Sequence, residues 1–209
     1  MRLGTSILFG GVCFSVLFLS SGCSADNEKA EGARYASSMS ELIRMDLDDP
    51  SLSKENRAIL ESAAEAGAIS LSVYEDAAQI YQQCLADLGN DVEWRKLPDG
   101  TYLAAPQNID TMDKYGDDSW TCAQDGFSTI ESLYSIQQNN PNLYTDQYEA
   151  IYSCLGAKGK RPGGVTLDEF RSELDAVYLE DQGSTWLDLS DPEIAICLQG
   201  NGFGIAVEL

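Results

Sequence analysis

Residues 72–89, SVYEDAAQIYQQCLADLG, decide the fold. Apolar side chains recur in this stretch at steps of three and four residues: Val73, Ala77, Ile80, Tyr81, Cys84 and Leu88. That spacing places them on one face of an amphipathic helix. Ser72 and Glu75 have the spacing of a capping box, which predicts the start of the helix, and Gly89 marks its end. The stretch therefore predicts a helix that packs on a core and carries a cysteine near its end.

Further helix patterns lie on both sides of this stretch. They cover residues 37–47, 53–66, 119–138, 145–155, 166–177 and 190–199. Thr166 with Glu169, and Ser190 with Glu193, repeat the capping-box spacing, and Thr145 is the expected cap of the fourth of these helices. The chain is thus predicted to be helical along most of its length.

One β-hairpin is predicted among the helices. Residues 92–97 and 101–105 have strand character and flank the turn-forming sequence Pro-Asp-Gly at 98–100. The fold class that follows is mainly α: a compact multi-helix domain with one small β-hairpin.

The first 22 residues have the pattern of an export signal. Met1 and Arg2 precede an apolar run at 7–19, and small residues follow it up to Gly22. The run is shorter than the roughly 18–20 residues that span a bilayer, and such a charged start with a short apolar core is typical of a signal peptide. We therefore expect residues 1–22 to be removed on export.

The end of this segment resembles the lipobox of bacterial lipoproteins, because Cys23 directly follows Gly22. The resemblance implies cleavage before Cys23, a diacylglycerol on its sulfur, and attachment to the extracytoplasmic face of the cell membrane. Ser20 stands where the lipobox pattern most often has leucine. An ordinary signal peptide cut nearby and an uncleaved anchor are the alternatives. Residues 23–36 would form the lipid anchor and a flexible tether, and residues 37–209 the domain.

The cysteines fit an exported protein. Cys13 belongs to the signal and Cys23 to the lipid site, which leaves four in the domain: Cys84, Cys122, Cys154 and Cys197. An even number in an exported chain predicts two disulfides, and the lack of a Cys-x-x-Cys pair argues against zinc. Of three possible pairings we favour Cys84–Cys122 with Cys154–Cys197, because each then joins neighbouring segments around a chain reversal.

Three of these cysteines share a local pattern of isoleucine, Cys-Leu and glycine, at 80–89, 151–156 and 194–200. Each places Cys-Leu near the end of a helix that a glycine terminates. An internal duplication into two similar halves and simple convergence both explain the pattern. The whole arrangement resembles small cell-surface lipoproteins of Gram-positive bacteria, actinobacteria in particular, and this resemblance implies no specific activity.

Charge and composition exclude several classes of function. The chain has 34 acidic and 13 basic residues, a net charge of −21. Such a surface opposes nucleic acid, which binds through basic side chains. No histidine is present, which excludes Ser-His-Asp catalysis and histidine-ligated zinc. Acidic clusters at 46–49, 110–118 and 180–191 could hold a hard cation, most plausibly at 110–118, but in a chain with 34 acids chance clustering is the favoured explanation. We expect no cofactor and no metal site.

Two features are candidates for contact with a partner. Lys158, Lys160 and Arg161 form the one basic cluster, in a glycine-rich loop. Trp94 lies between charged residues of a predicted strand, which makes it the expected exposed aromatic side chain. Ordinary solvation of the loop and packing of the aromatic ring in the core are the alternatives.

These observations favour a lipid-anchored, non-catalytic binding module whose partner is an envelope protein or ligand. One alternative is an enzyme that acts on envelope glycan or peptide through carboxylates. Its signature would be two acids in one cleft, one of them buried with a raised pKa. A small solute-binding lipoprotein of a transporter is the other alternative.

Overall fold

The computed structural model describes residues 32–108, 112–124, 126–179, 184 and 186–203. These residues contain helices and one two-stranded antiparallel sheet: α1 (Met39–Asp46), α2 (Lys54–Ala66), α3 (Leu71–Asp87), β1 (Val92–Lys96), β2 (Tyr102–Pro106), α4 (Met112–Ala123), α5 (Phe127–Asn139), α6 (Gln147–Ala157), α7 (Leu167–Leu179) and α8 (Pro192–Gln199). The predicted fold class, mainly helical with one hairpin and two disulfides, is confirmed.

Several helix starts agree with the sequence prediction. Ser53 accepts a hydrogen bond from the Asn56 N–H at the start of α2, and Gly67 ends that helix with φ +75°. At α7 the capping box is complete: the Thr166 N–H donates to Glu169 Oε2 over 2.8 Å, and the Glu169 N–H donates to Thr166 Oγ1 over 3.3 Å. Each cap satisfies backbone groups that the helix leaves unpaired.

Other helix starts lie next to the predicted residue. Ser70 rather than Ser72 caps α3, Asp146 rather than Thr145 caps α6, and Asp191 rather than Ser190 caps α8. Each true cap has an extended backbone and an oxygen that accepts from a free N–H of the first turn. These three predictions were wrong by one or two residues because serine, threonine and aspartate compete as caps at neighbouring positions.

The predicted single helix at 119–138 is two helices. Gly126 has φ +104° and separates α4 from α5. A glycine adopts this conformation without steric cost, so the chain turns there instead of continuing the helix. α4 also begins earlier than predicted, at Met112.

The buried face of α3 is rotated by one residue from the prediction. Its buried side chains are Tyr74, Ala78, Tyr81 and Leu85. Ile80, which we expected in the core, is 67% exposed. The buried set has the same three- and four-residue spacing, so periodicity alone does not decide between the two faces.

Two clusters of buried side chains form the interior. The first lies among α1–α5 and the hairpin and contains residues such as Leu60, Tyr74 and Leu133. The second lies among α6–α8 and includes Phe170 and Leu198. Helices α5 and α6 are in contact, which joins the two clusters. Nowhere in the described ranges is a helix long and apolar enough to cross a membrane.

Each cluster contains one disulfide. Cys84–Cys122 joins α3 to α4, and Cys154–Cys197 joins α6 to α8. The predicted pairing is confirmed. Cys197 is fully buried, whereas Cys84 is half-buried at the edge of its cluster. The second bond is therefore part of the core itself.

The hairpin lies on α3 and α5 through aromatic side chains. β1 and β2 pair in register, with Lys96 opposite Tyr102 and Val92 opposite Pro106. The Tyr102 N–H donates to the Tyr74 hydroxyl over 2.9 Å. The Tyr74 ring in turn stacks on the Tyr134 ring, with 4.4 Å between centroids. These contacts fix the hairpin, and hence its turn, against α5.

The segment before α1 also packs on the domain. The Tyr35 N–H donates to the Leu143 carbonyl and the Thr145 N–H donates to the Ala33 carbonyl, each over 2.8 Å. Residues 33–36, which the sequence assigns to the tether, are therefore hydrogen-bonded between α5 and α6. We call this segment the N-terminal strap. The domain begins before the predicted boundary at residue 37.

Candidate functional site

A polar cavity of about 170 Å³ lies where the hairpin turn, α5 and α8 meet. Its polar walls come from all three elements, and they are Asp99, Thr101, Tyr102, Glu131, Ser135, Asn139 and Gln199. We call this cavity the hairpin pocket. It lies between the two core clusters, because α5 belongs to the first and α8 to the second.

Asp99 is held firmly at the rim of the pocket. The Thr101 N–H and hydroxyl donate to its Oδ1 over 3.0 and 2.7 Å. The Asn139 amide donates to its Oδ2 over 2.9 Å. Both carboxylate oxygens are thus oriented, and the turn before Thr101 is fixed by its own sequence.

Asn139 connects the pieces around the pocket. It is the last residue of α5, and only 1% of its surface is exposed. Its backbone carbonyl accepts from the Asn201 amide over 3.3 Å, which links it to the end of α8. A Cβ at Gly200 would lie 2.4 Å from the Asn139 amide nitrogen. Glycine at that position therefore allows α8 to approach.

Glu131, Ser135 and Asn139 follow one another at intervals of four residues, so they lie on one face of α5. Burial raises the pKa of the Glu131 carboxyl. Within the described part of the chain, the carboxyl has no hydrogen bond or ion pair. A carboxyl that lines a cavity and has a pKa raised by burial is a candidate functional group.

The surroundings of Glu131 are aromatic on the core side. The pKa of the Tyr115 hydroxyl is raised to about 12. Burial is the largest cause, and the charge of Glu131 is one of the smaller ones. The pKa of the Tyr74 hydroxyl is also raised, chiefly by burial and further by Glu131 and Asp99. These phenols stay protonated near neutral pH, so they add hydrogen-bonding capacity to the interior and no charge.

The two carboxyls of the pocket thus have different environments. Asp99 accepts three hydrogen bonds, while the carboxyl of the half-buried Glu131 accepts none in the described ranges. Such a pair can balance a positive charge, and it can also divide the roles of acid and base in catalysis. Neither residue was predicted as a site from the sequence, because both belong to a large set of acidic residues without a motif.

Two of the three basic side chains in the predicted basic loop bind to other parts of the same molecule. Lys160 forms ion pairs with Asp191 at 2.7 Å and Glu193 at 2.9 Å, at the start of α8. The Arg161 guanidinium lies 3.7 Å from the Tyr152 ring centroid and donates to the Tyr152 carbonyl over 2.9 Å. These contacts close the loop onto α6 and α8. Lys158 is half-buried and lies at the C-terminal cap of α6.

The expectation that Trp94 is the exposed aromatic side chain was wrong. Trp94 is half-buried and packs edge-on against Tyr81, with 5.7 Å between ring centroids. Trp120 is the exposed tryptophan, with 69% of its surface accessible. The error follows from α3, whose true buried face presents Tyr81 to the hairpin.

Among the described residues, no three acidic or cysteine side chains come together in a way that would hold a metal ion. Asp118 of the predicted 110–118 cluster instead pairs with Lys114 and accepts from the Asn90 amide over 2.7 Å. Cys23, Asp110, Glu180 and Asp181 lie outside the described residues, so their predictions are not addressed by the structure.

A second polar cavity, of about 250 Å³, lies between the end of α1 and the first turns of α5. Its lining includes Asp46 and Asp49 with hydroxyls of α5. Asp49 is exposed and its carboxylate already accepts from Ser51. Water therefore competes with a ligand for the Asp49 carboxylate more strongly than it does for the carboxyls of the hairpin pocket.

No family model, no curated protein and no solved structure matches this chain. No residue role can be transferred from another protein, and the chemistry of the site rests on the geometry described above.

Proposed function

We propose that the protein is a lipid-anchored binding module of the cell envelope. The observation that carries the binding role is the hairpin pocket, whose walls are already fixed by hydrogen bonds among Asp99, Thr101 and Asn139. A preformed pocket binds without paying to order its own side chains. The two disulfides stabilise the same two clusters between which the pocket lies.

Support for the anchor comes from Cys23 and its preceding segment, together with the N-terminal strap. The strap is hydrogen-bonded to the segment between α5 and α6, so the domain includes the chain from about Gly32 onward. A fully extended chain from Cys23 to that point reaches roughly 35 Å, at about 3.5 Å per residue. In this proposal the domain stays close to the outer face of the membrane, with its hairpin pocket open to envelope ligands.

Replacement of the proposed lipid site tests the anchor. Cys23→Ala should abolish incorporation of labelled fatty acid and release the protein from the membrane fraction. Cys13→Ala, a matched change within the proposed signal, should leave both unchanged. Equal labelling of Cys23→Ala and the parent protein would overturn the proposed attachment.

A second candidate function is hydrolysis by carboxylates, and one observation favours it. Glu131, with its raised pKa, and the hydrogen-bonded Asp99 line one cavity, which is the combination expected of a general acid and its partner. Isolated envelope glycan and peptide should then be cleaved by the parent protein and not by Glu131→Gln. Absence of cleavage by the parent protein would exclude this candidate for those substrates.

A further inference from the structure

We propose that the hairpin pocket binds a small organic cation through a primary ammonium group, with Glu131 and Asp99 as its counter-charges. The inference rests on the proposed binding function and names the ligand chemistry of that site.

The charges of the pocket favour a cation. Two carboxyls line it, and no basic side chain is part of its described lining. Lys96, whose ammonium lies 5.7 Å from the centroid of the Tyr102 ring, is already paired with Glu75. An anionic ligand would meet two carboxyls without a compensating charge, which is unfavourable in a partly buried site.

The lone carboxyl of Glu131 gives the position of the ammonium group. Glu131 is half-buried, and its carboxyl has no protein partner within the described residues, so a ligand that donates to it would replace water and add a charge-assisted hydrogen bond. An ammonium group has three donors. Glu131, the Ser135 hydroxyl one turn further along α5 and the Gln199 side-chain carbonyl of α8 are acceptors in the same lining.

The lining fits an organic cation better than a metal ion. Calcium requires six to eight oxygen ligands, whereas both oxygens of Asp99 already accept hydrogen bonds from the protein. A volume of about 170 Å³ corresponds to several water molecules, at roughly 30 Å³ each, and so admits a short alkyl chain with its ammonium group. Both a free amine and a lysine side chain of a partner peptide have this chemistry.

The test is a nuclear magnetic resonance titration of the full mature protein in detergent, with butylammonium chloride as the probe and 1-butanol as its neutral counterpart. We expect saturable shifts of the backbone amides of Glu131, Ser135 and Gly100 with butylammonium only. Nα-acetyl-lysine methylamide in a parallel arm distinguishes the two sources: tighter binding of this probe assigns a peptide side chain, and tighter binding of butylammonium assigns a free amine.

Two variants, each of which removes one negative charge, make the test specific. Glu131→Gln keeps the shape of the side chain and should weaken butylammonium binding by about ten-fold or more, the usual effect of removing a charged hydrogen bond. Glu65→Gln makes the same change on an exposed position of α2 and should leave binding unchanged. The dispersion of the amide spectrum shows whether each variant is folded.

Three outcomes would overturn the inference: equal binding of 1-butanol, binding of calcium chloride but not of butylammonium, or unchanged affinity in Glu131→Gln. The anchor is measured separately by fatty-acid labelling of Cys23. Loss of ammonium binding with intact labelling therefore refutes the ligand class alone, whereas loss of labelling refutes the proposed membrane attachment.

Discussion

The side-chain amide of Asn139 donates a hydrogen bond to Asp99 Oδ2 over 2.9 Å, which joins the end of α5 to the turn of the hairpin. The same asparagine accepts from Asn201 through its backbone carbonyl. One buried residue thus connects the hairpin, α5 and the chain after α8. Its donor cannot be replaced by an acceptor without placing two acids side by side.

We therefore expect Asn139→Asp to destabilise the protein by about 3 kcal/mol, because it removes a buried donor and places a second carboxyl against Asp99. The free energy of unfolding in urea measures the effect. Asn142→Asp is the matched control. Within the described part of the chain, its side chain donates to the Ser153 hydroxyl, which can reverse its role and donate instead. A similar loss in both variants would contradict the special position of Asn139.

Glu131→Gln should raise the stability at neutral pH. Burial raises the pKa of Glu131 in the folded state. Asp99 lines the same cavity, and the hydroxyls of Tyr74 and Tyr115 are near enough for the charge of Glu131 to raise their pKa. The folded protein then holds the proton more tightly than the unfolded chain. The stabilising contribution is full below the unfolded pKa and is lost as the pH rises through the folded pKa.

The difference in unfolding free energy between Glu131→Gln and the parent protein should consequently grow from pH 4 to pH 7. Urea denaturation at several pH values measures it. Glu65→Gln, whose side chain is exposed, should show no such growth. A difference that shrinks with rising pH would show that Glu131 gains, rather than loses, from ionisation in the folded protein.

Removal of the disulfides should have unequal effects. Each bond closes a loop of similar length, with sequence separations of 38 and 43, which corresponds to about 4 kcal/mol in the chain-entropy model. Replacement of both cysteines by alanine at Cys154 and Cys197 should cost more than at Cys84 and Cys122, because it also leaves a cavity in the second core.

Urea denaturation of the two double variants gives this comparison, and mass analysis without reductant should detect two bonds and no free thiol in the parent domain. Equal losses of stability would mean that the second core closes around the missing sulfurs.

Charge reversal in the basic loop should depend on the residue changed. Lys160→Glu places a negative charge beside Asp191 and Glu193, so Tm should fall by a few degrees. Lys158→Glu changes the same charge in the same loop and should have a smaller effect. High salt should reduce the difference, because it screens interactions at a partly exposed site. A greater effect of Lys158→Glu would contradict the observed ion pairs.

Local patterns predicted most elements of the fold, because helix starts, glycine stops and the Pro-Asp-Gly turn act over a few residues. The same patterns did not fix the buried face of α3. Both the stripe that contains Ile80 and the one that contains Tyr74 repeat every three or four residues, and only contact with the hairpin selects the second. Gly126 was the available signal for the break between α4 and α5.

The hairpin pocket was not predictable from the sequence. Asp99 and Glu131 are two of 34 acidic residues, and no motif separates them from the rest. They share a pocket because the tyrosines of α3 and α5 hold the hairpin turn over α5. The predicted disulfide pairing, by contrast, followed from the order of cysteines along the chain, which tertiary contacts did not alter.

The three tryptophans provide a separate spectroscopic reporter for each part of the molecule. Trp94 lies edge-on to Tyr81 in the first core, Trp186 lies 6.1 Å from Phe170 in the second, and Trp120 is accessible to solvent. The fluorescence of a variant that retains only Trp94 or only Trp186 follows the unfolding of the core cluster that contains this tryptophan. Coincident curves would identify a single cooperative unit, and separate midpoints would identify two.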